Sequence, residues 1–138
     1  MSITIALSDD LAACRALRRT VFIEEQGVSE ADEIDDLDGA CLHLLACAGD
    51  TPVGSARIHI TGDTAKIGRV CVLPAHRGTG LGARLVQQAI EVSRDHAKTA
   101  KLGSQLHAIG FYEALGFTAF GPVYDDAGID HRDMVRDL

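Results

Sequence analysis

The segment from Val70 to Ala83, Val-Cys-Val-Leu-Pro-Ala-His-Arg-Gly-Thr-Gly-Leu-Gly-Ala, constrains this chain more than any other. β-Branched Val70 and Val72 flank Cys71 and favour a pleated strand, where branched side chains pack well. Pro74 has no N–H to give a sheet, so the strand stops near it. Gly78, Gly80 and Gly82 then alternate with larger residues, a turn in which no Cβ keeps a ligand from the backbone. Beyond the turn the apolar spacing changes from two to that of a helix. Leu81, Leu85, Ala89 and Val92 form one stripe with Val86 and Ile90 beside it, and Arg84, Gln87, Gln88, Glu91 and Arg94 fall largely on the other side. A helix whose free N–H groups emerge from a glycine turn is suited to an anion.

Several readings compete for this turn. A P-loop needs a lysine after its second glycine, and none stands here. Gly78-x-Gly80-x-x-Ala83 matches the dinucleotide fingerprint, but residues 98–103, where that fingerprint wants its ribose-binding acid, hold none. About half the chain also precedes the turn, whereas the fingerprint normally opens its domain. A turn that only reverses the chain remains an alternative. The favoured reading takes Arg77-Gly78-Thr79-Gly80-Leu81-Gly82 as a pyrophosphate cradle, its successive amides and the helix N-terminus holding the anion and Arg77 adding a charge-assisted contact.

The rest of the chain frames that turn. Its 138 residues, 46% of them hydrophobic, suffice for one domain spanning residues 1–138. A net charge of −7 and a pI near 5.2 argue against nucleic acid and acidic membranes as partners. No segment is apolar enough to cross a membrane, and the first residues lack the basic start of a secretion signal, so a cytoplasmic protein is expected. Cys14, Cys41, Cys47 and Cys71 are scattered and read as reduced, buried small hydrophobes, with no metal site expected.

Residues 2–7 alternate as a first strand, and Ser8 or Asp9 is placed to cap a helix carrying Leu11, Cys14, Leu17 and Val21, which Gly27 interrupts. Eight acids follow between Glu24 and Asp38, and no Lys or Arg occurs between Arg19 and Arg57. The stretch reads first as a solvated acidic loop, and second as a negative rim that draws a cationic amine. It fails as a calcium loop, because Ile34 and Leu45 would occupy the terminal ligand positions. Residues 43–48, 52–60 and 65–73 read as three antiparallel strands joined at Gly49-Asp50 and Thr61-Gly62-Asp63. His43 reads as a satisfied core histidine in preference to one facing a substrate, and His59 as structural. Residues 102–105 form a short strand that one crossover helix sets parallel to the Val70–Val72 strand. Residues 128–136 read as a final strand. Between these last two lies Ala108-Ile-Gly-Phe111-Tyr112-Glu-Ala-Leu115-Gly116-Phe117, preceded by Gln105. Gly116 suits the left-handed residue that ends a helix, and Phe111, Leu115 and Phe117 read as core.

The hexad Arg77-x-x-Gly80-x-Gly82 and the Ala-x-x-Phe-Tyr-x-x-x-Gly-Phe run resemble the two signatures of the GCN5-related N-acetyltransferases (GNAT). With Arg18-x-x-Val21-Phe22-Ile23-x-Glu25-Gln26, the acids Glu33, Asp35 and Asp38, His43 and the closing Gly-Ile-x-His, the resemblance extends over nearly the whole chain to the ElaA-like branch. It implies a mixed, mostly antiparallel α/β sheet that splays at an acetyl-CoA site. It also implies acetyl transfer from acetyl-CoA directly to a primary amine of a small molecule or peptide. Val70, Cys71 and Val72 would hold the pantetheine arm by their backbone, a bulge there aiming an N–H at the thioester oxygen. Arg77, Gly78, Thr79, Gly80, Leu81 and Gly82 would hold the pyrophosphate, with Gln105 bordering the cofactor. Tyr112 matches the family's proton donor to the departing thiolate, against the alternative of a packing tyrosine. Many members carry a glutamate base before the glycine turn, but Lys66-Ile67-Gly68-Arg69 offers none. Glu24, Glu25, His43, His131 and a water relay stay open as the base. An acyl-CoA-binding regulatory module is the alternative function, and the residues do not distinguish a monomer from a homodimer.

Overall fold

Seven strands form one sheet in the order β1-β2-β3-β4-β5-β7-β6. The structure, a computed structural model, describes residues 2–138. The strands are β1 (Ile3–Leu7), β2 (Leu42–Ala48), β3 (Thr51–Thr61), β4 (Thr64–Val72), β5 (Thr99–Gln105), β6 (Thr118–Asp126) and β7 (Ile129–Asp137). Helices α1 (Leu11–Arg18) and α2 (Glu30–Glu33) precede β2, α3 (Leu81–Arg94) crosses from β4 to β5, and α4 (Ile109–Glu113) follows β5. Among the described residues only β4 and β5 pair in parallel; every other neighbouring pair is antiparallel. This is the mixed, mostly antiparallel sheet the resemblance implies.

Helix α1 starts one residue later than the expected caps allow. Asp10 caps it, its carboxylate accepting from the Ala13 amide at 3.1 Å, while Ser8 Oγ accepts from the Asp10 amide. The reason is reach: a carboxylate at the residue before Leu11 lies next to the first free amides. After Arg18 the helix continues to Glu25 but widens into a π-helical turn, closed by the Gln26 amide on the Val21 carbonyl at 3.1 Å, and Gly27 (φ 74°) then ends it.

Leu81, Leu85, Val86, Ala89 and Ile90 of α3 bury against Ala56, Ile58, Ala65 and Ile67 of the sheet. Ser93, not Val92, completes the buried stripe, because its Oγ satisfies itself on the Ala89 carbonyl at 2.6 Å. On the opposite face Leu17, Val21 and Cys71 make a small second cluster under α1. One irregularity determines which side chains go where. Ser55 pairs with Cys71 and Arg57 with Gly68, so Arg69 and Val70 both stand opposite Ala56. This bulge, with Arg69 left-handed at φ 52°, shifts the alternation by one residue. Ala65 and Ile67 therefore pack towards α3 before it, and Val70 and Val72 after it, while Cys71 turns towards α1.

Strand β6 is the strand the sequence reading misses, and the short helix α2 lies in what it takes for loop. Phe120 pairs with Asp133 and Tyr124 with His131, so extra residues bulge out at Gly121-Pro122 and hide the strand's alternation. Ala127 and Gly128, both at positive φ, turn the chain into β7 as a two-residue hairpin connection does.

Candidate active site

Strands β4 and β5 pair only from Thr64 to Lys66 and from Thr99 to Lys101. Beyond Lys66 they diverge, leaving the inner backbone edge of each without a strand partner and opening a cleft of about 300 Å³ between Ile67–Val70 and Leu102–Gln105. Phe22 and Gln26 of the π-helical turn roof the cleft, and Tyr112, Tyr124 and His131 close its far side.

The glycine turn stands past the end of β4. Gly78 (φ 74°) and Gly80 (φ 82°) are left-handed, and a Cβ at either would meet nothing within 4 Å. Backbone conformation, not crowding, is what requires glycine there. Gly80 is the N-cap of α3 and offers no side-chain cap, so the first-turn amides of a fourteen-residue helix are left to another acceptor. Thr79 turns its hydroxyl back to the His76 carbonyl at 2.6 Å. Arg77 is already committed: Nη1 and Nη2 reach Glu25 at 2.6 and 2.7 Å, and Nε reaches the Val72 carbonyl at 3.0 Å. The Arg77 hydrogen bonds hold the Glu25 carboxyl below its usual range. This exposed clamp ties the end of β4 to the π-helical turn.

Cys71 is buried with Sγ 3.4 Å from Ser55 Oγ, and burial pushes its thiol up, away from thiolate. Gln105 donates to Gln26 at 3.2 Å and shares a 2.8 Å contact with His107 Nε2, bridging β5 to the roof. Tyr112 is half-buried on α4, edge-on to Phe111 (5.0 Å, 81°) and Phe117 (6.1 Å, 79°). Burial raises its phenol pKa, so it holds its proton at neutral pH. Gly116 (φ 91°) ends the helix as expected, and Phe117 is core. Phe111 is not: it is 40% exposed, lying beside Gly82, where a Cβ would come within 3.7 Å of its ring. Of the four cysteines only Cys14 and Cys71 are fully buried; Cys41 and Cys47 are half-buried.

The acidic stretch meets the solvated-loop expectation only in part: Glu24, Glu25, Glu30, Asp32 and Asp36 are exposed, and three acids are not. Glu33 and Asp38 are buried, and Asp35 half-buried. Arg18, 1% exposed, donates to Glu33 and, at 2.8 Å, to Asp38. Arg57 donates to Asp38 at 3.0 Å and to both oxygens of Asp35 at 2.9 and 2.6 Å. Arg15 adds a contact to Asp38 at 3.1 Å. Arg69, from the bulge, reaches the Glu33 carbonyl at 3.1 Å and Asp35 at 3.4 Å. Burial alone would raise the Asp38 pKa, but Arg18 and Arg15 hold it well below the ordinary range. Arg57 is the main cause that brings Asp35 down to about 2. His43 belongs to this layer: its Nε2 hydrogen-bonds the Asp38 carbonyl at 2.8 Å, it is 5% exposed, and it does not line the cleft. The network fastens the segment after the π-helical turn to β3 and to the bulge. Glu24 is exposed and away from the cleft lining.

Sequence reasoning also passes over Gln26, Arg69 and Tyr124 as cleft residues. Tyr124 needed β6 to be seen, and Arg69 needed the bulge. Among the described residues no cluster of three or more His, Cys, Asp or Glu is arranged to hold a metal ion, and no helix is long and apolar enough to cross a membrane.

The model of the Acetyltransferase (GNAT) family matches residues 11–117. Protein ElaA of Escherichia coli is 37% identical over 93% of this chain and 88% of its own length. Its crystal structure superimposes with a TM-score of 0.87, covering 98% of this chain and 99% of that one. An acyl-CoA N-acyltransferase from Pseudomonas aeruginosa, 28% identical, also gives 0.87 with the same coverage. A Bacillus subtilis acetyltransferase solved in complex with CoA, 21% identical, shares the fold with a TM-score of 0.76 over 99% of each chain.

Proposed function

The chain belongs to the Acetyltransferase (GNAT) family, and we propose that it moves an acetyl group from acetyl-CoA directly to a primary amine of a small molecule or peptide. One observation carries this: the divergence of β4 from β5, with the uncapped α3 N-terminus and its glycine turn at one end and the protonated Tyr112 phenol at the other. The B. subtilis neighbour solved with CoA supports the choice of cofactor. The pyrophosphate sits on the amides of Gly78–Gly82 and the α3 N-terminus. Pantetheine runs along the free edge of β4 as an added strand would, bonded by the backbone of Val70, Cys71 and Val72. The Arg69–Val70 bulge turns an N–H towards the thioester oxygen. The amine lone pair attacks the thioester carbon, the C–S bond breaks, and Tyr112 gives its proton to the sulfur. The proton shed by the new amide nitrogen restores the phenol, and no metal takes part.

Tyr112→Phe tests the chemistry apart from the binding. General acid catalysis contributes roughly 10²–10⁴-fold, so turnover falls by that range while the thermal shift with acetyl-CoA stays at the wild-type value. Unchanged turnover would remove Tyr112 from the mechanism.

A further inference from the structure

We propose that His131 is the catalytic base, its Nε2 taking the proton that the acceptor ammonium must lose before attack. The assignment rests on the acetyl-transfer reading above and goes beyond it by naming the group and the nitrogen. His131 Nδ1 lies 2.7 Å from the Ile129 carbonyl. A carbonyl only accepts, so Nδ1 carries the hydrogen, and the neutral ring presents its lone pair on Nε2. Nε2 has no hydrogen-bond partner among the described residues, is not sealed from solvent, and its ring lines the cleft. Tyr124 stacks on the imidazole (5.9 Å, 25°), fixing its plane. The strand register puts His131 directly opposite Gln105, the last residue of β5 on the side of the cleft that leads to Tyr112.

The other candidates are occupied. Glu25 is held by both terminal nitrogens of Arg77. His43 is sealed beneath Asp38, with Nδ1 buried and unpartnered. Tyr124 donates to Asp133 at 2.8 Å, and burial, then that hydrogen bond, raise its phenol to about 12, so it stays protonated. Asp133, two residues on along β7, accepts from Tyr124, and Asp126 at the hairpin lines the same cleft as the imidazole. Asp32, Glu33, Lys66 and Arg69 stand on the other walls of the cleft, with Glu33 committed to Arg18.

In the step, an R–NH3⁺ acceptor gives one proton to Nε2, and the freed lone pair forms the bond to the thioester carbon. His131 then releases its proton to solvent, so that R–NH3⁺ and acetyl-CoA become the amide, CoA–SH and one H⁺. Tyr112 and His131, which line the same cleft, thus serve the leaving group and the nucleophile respectively.

The test measures thiol release from acetyl-CoA with a mixture of ethanolamine, lysine and spermidine across pH, for wild type and His131→Asn. Asparagine keeps a donor for the Ile129 carbonyl. The wild type shows an acidic limb in kcat/KM. His131→Asn lowers kcat/KM by roughly 10²–10⁴-fold, loses that limb, and keeps the wild-type thermal shift with acetyl-CoA. A variant within threefold of wild type, with the limb intact, overturns the assignment and leaves acetyl transfer standing. Absence of both acetyl-CoA binding and thiol release in the wild type sinks the acetyl-transfer reading and this assignment together. Nitrogen-15 NMR of the histidine side chains tests the premise without any acceptor: neutral His131 carries its hydrogen on Nδ1, and an Nε2–H tautomer overturns the proposal.

Discussion

The glycine turn and the acidic stretch both deal with charge, and they do so by opposite means. Residues 78–82 offer backbone amides, positioned by two left-handed glycines and by the helix they introduce. Glu33, Asp35 and Asp38 offer side-chain carboxylates, positioned by arginines on α1, β3 and the β4 bulge. The first device is local, so its backbone geometry can be expected from six consecutive residues. The second is assembled from partners fifteen to thirty-six positions apart, and the same acids look like a solvated loop until the fold brings the arginines to them. The turn is open to a ligand; the acids are spent on holding the cleft's roof.

The comparison breaks most visibly at Asp38. Its carboxylate takes Arg18, Arg57 and Arg15, and the first two are buried. Asp38→Ala strips Arg18 and Arg57 of one of their two carboxylates, leaving Glu33 and Asp35, and removing one partner of a buried pair costs about 3–5 kcal/mol. Urea unfolding should show a loss of that size; a loss below about 1 kcal/mol would mean the network is solvated after all.

Acid gives the next largest effect. Asp35 and Asp38 have folded pKa values below their unfolded ones, so their contribution is present above the ordinary carboxylate range and is lost as pH falls through the folded values. The urea midpoint should hold from pH 7 to about 5 and decline towards pH 2, where Asp35 titrates. A flat midpoint across that interval would contradict the ion-pair assignment.

The smallest effect is expected at Glu25, whose pair with Arg77 is exposed on both sides. Glu25→Gln should leave the urea midpoint unchanged and turnover within twofold. A hundredfold loss of kcat would return Glu25 to consideration as the base.

The same contrast explains what was legible. Strands β1 to β5, α3 and the Phe111–Tyr112 helix follow from periodicity, glycine and proline, because each is set by its own residues. Strand β6 was hidden since Gly121 and Pro122 bulge out of register with β7. The role of Arg69 was hidden since nothing in Gly68-Arg69-Val70 announces a non-glycine residue at φ 52°. The place of Tyr112 beside the cleft was legible from a run that resembles the family's signature. The orientation of His131 depends on a hydrogen bond to Ile129 and on Tyr124 across the hairpin, which only the folded chain supplies.

The central claim, that the glycine turn and the α3 N-terminus hold acetyl-CoA, is tested most directly by the thermal shift on adding acetyl-CoA to wild type and to Gly80→Glu. Binding to the native state alone adds about 2.7 kcal/mol at a hundredfold excess over the dissociation constant. A clear rise in wild type that a folded Gly80→Glu lacks is the predicted result. No shift in the wild type at millimolar acetyl-CoA, or an equal shift in the variant, would contradict it.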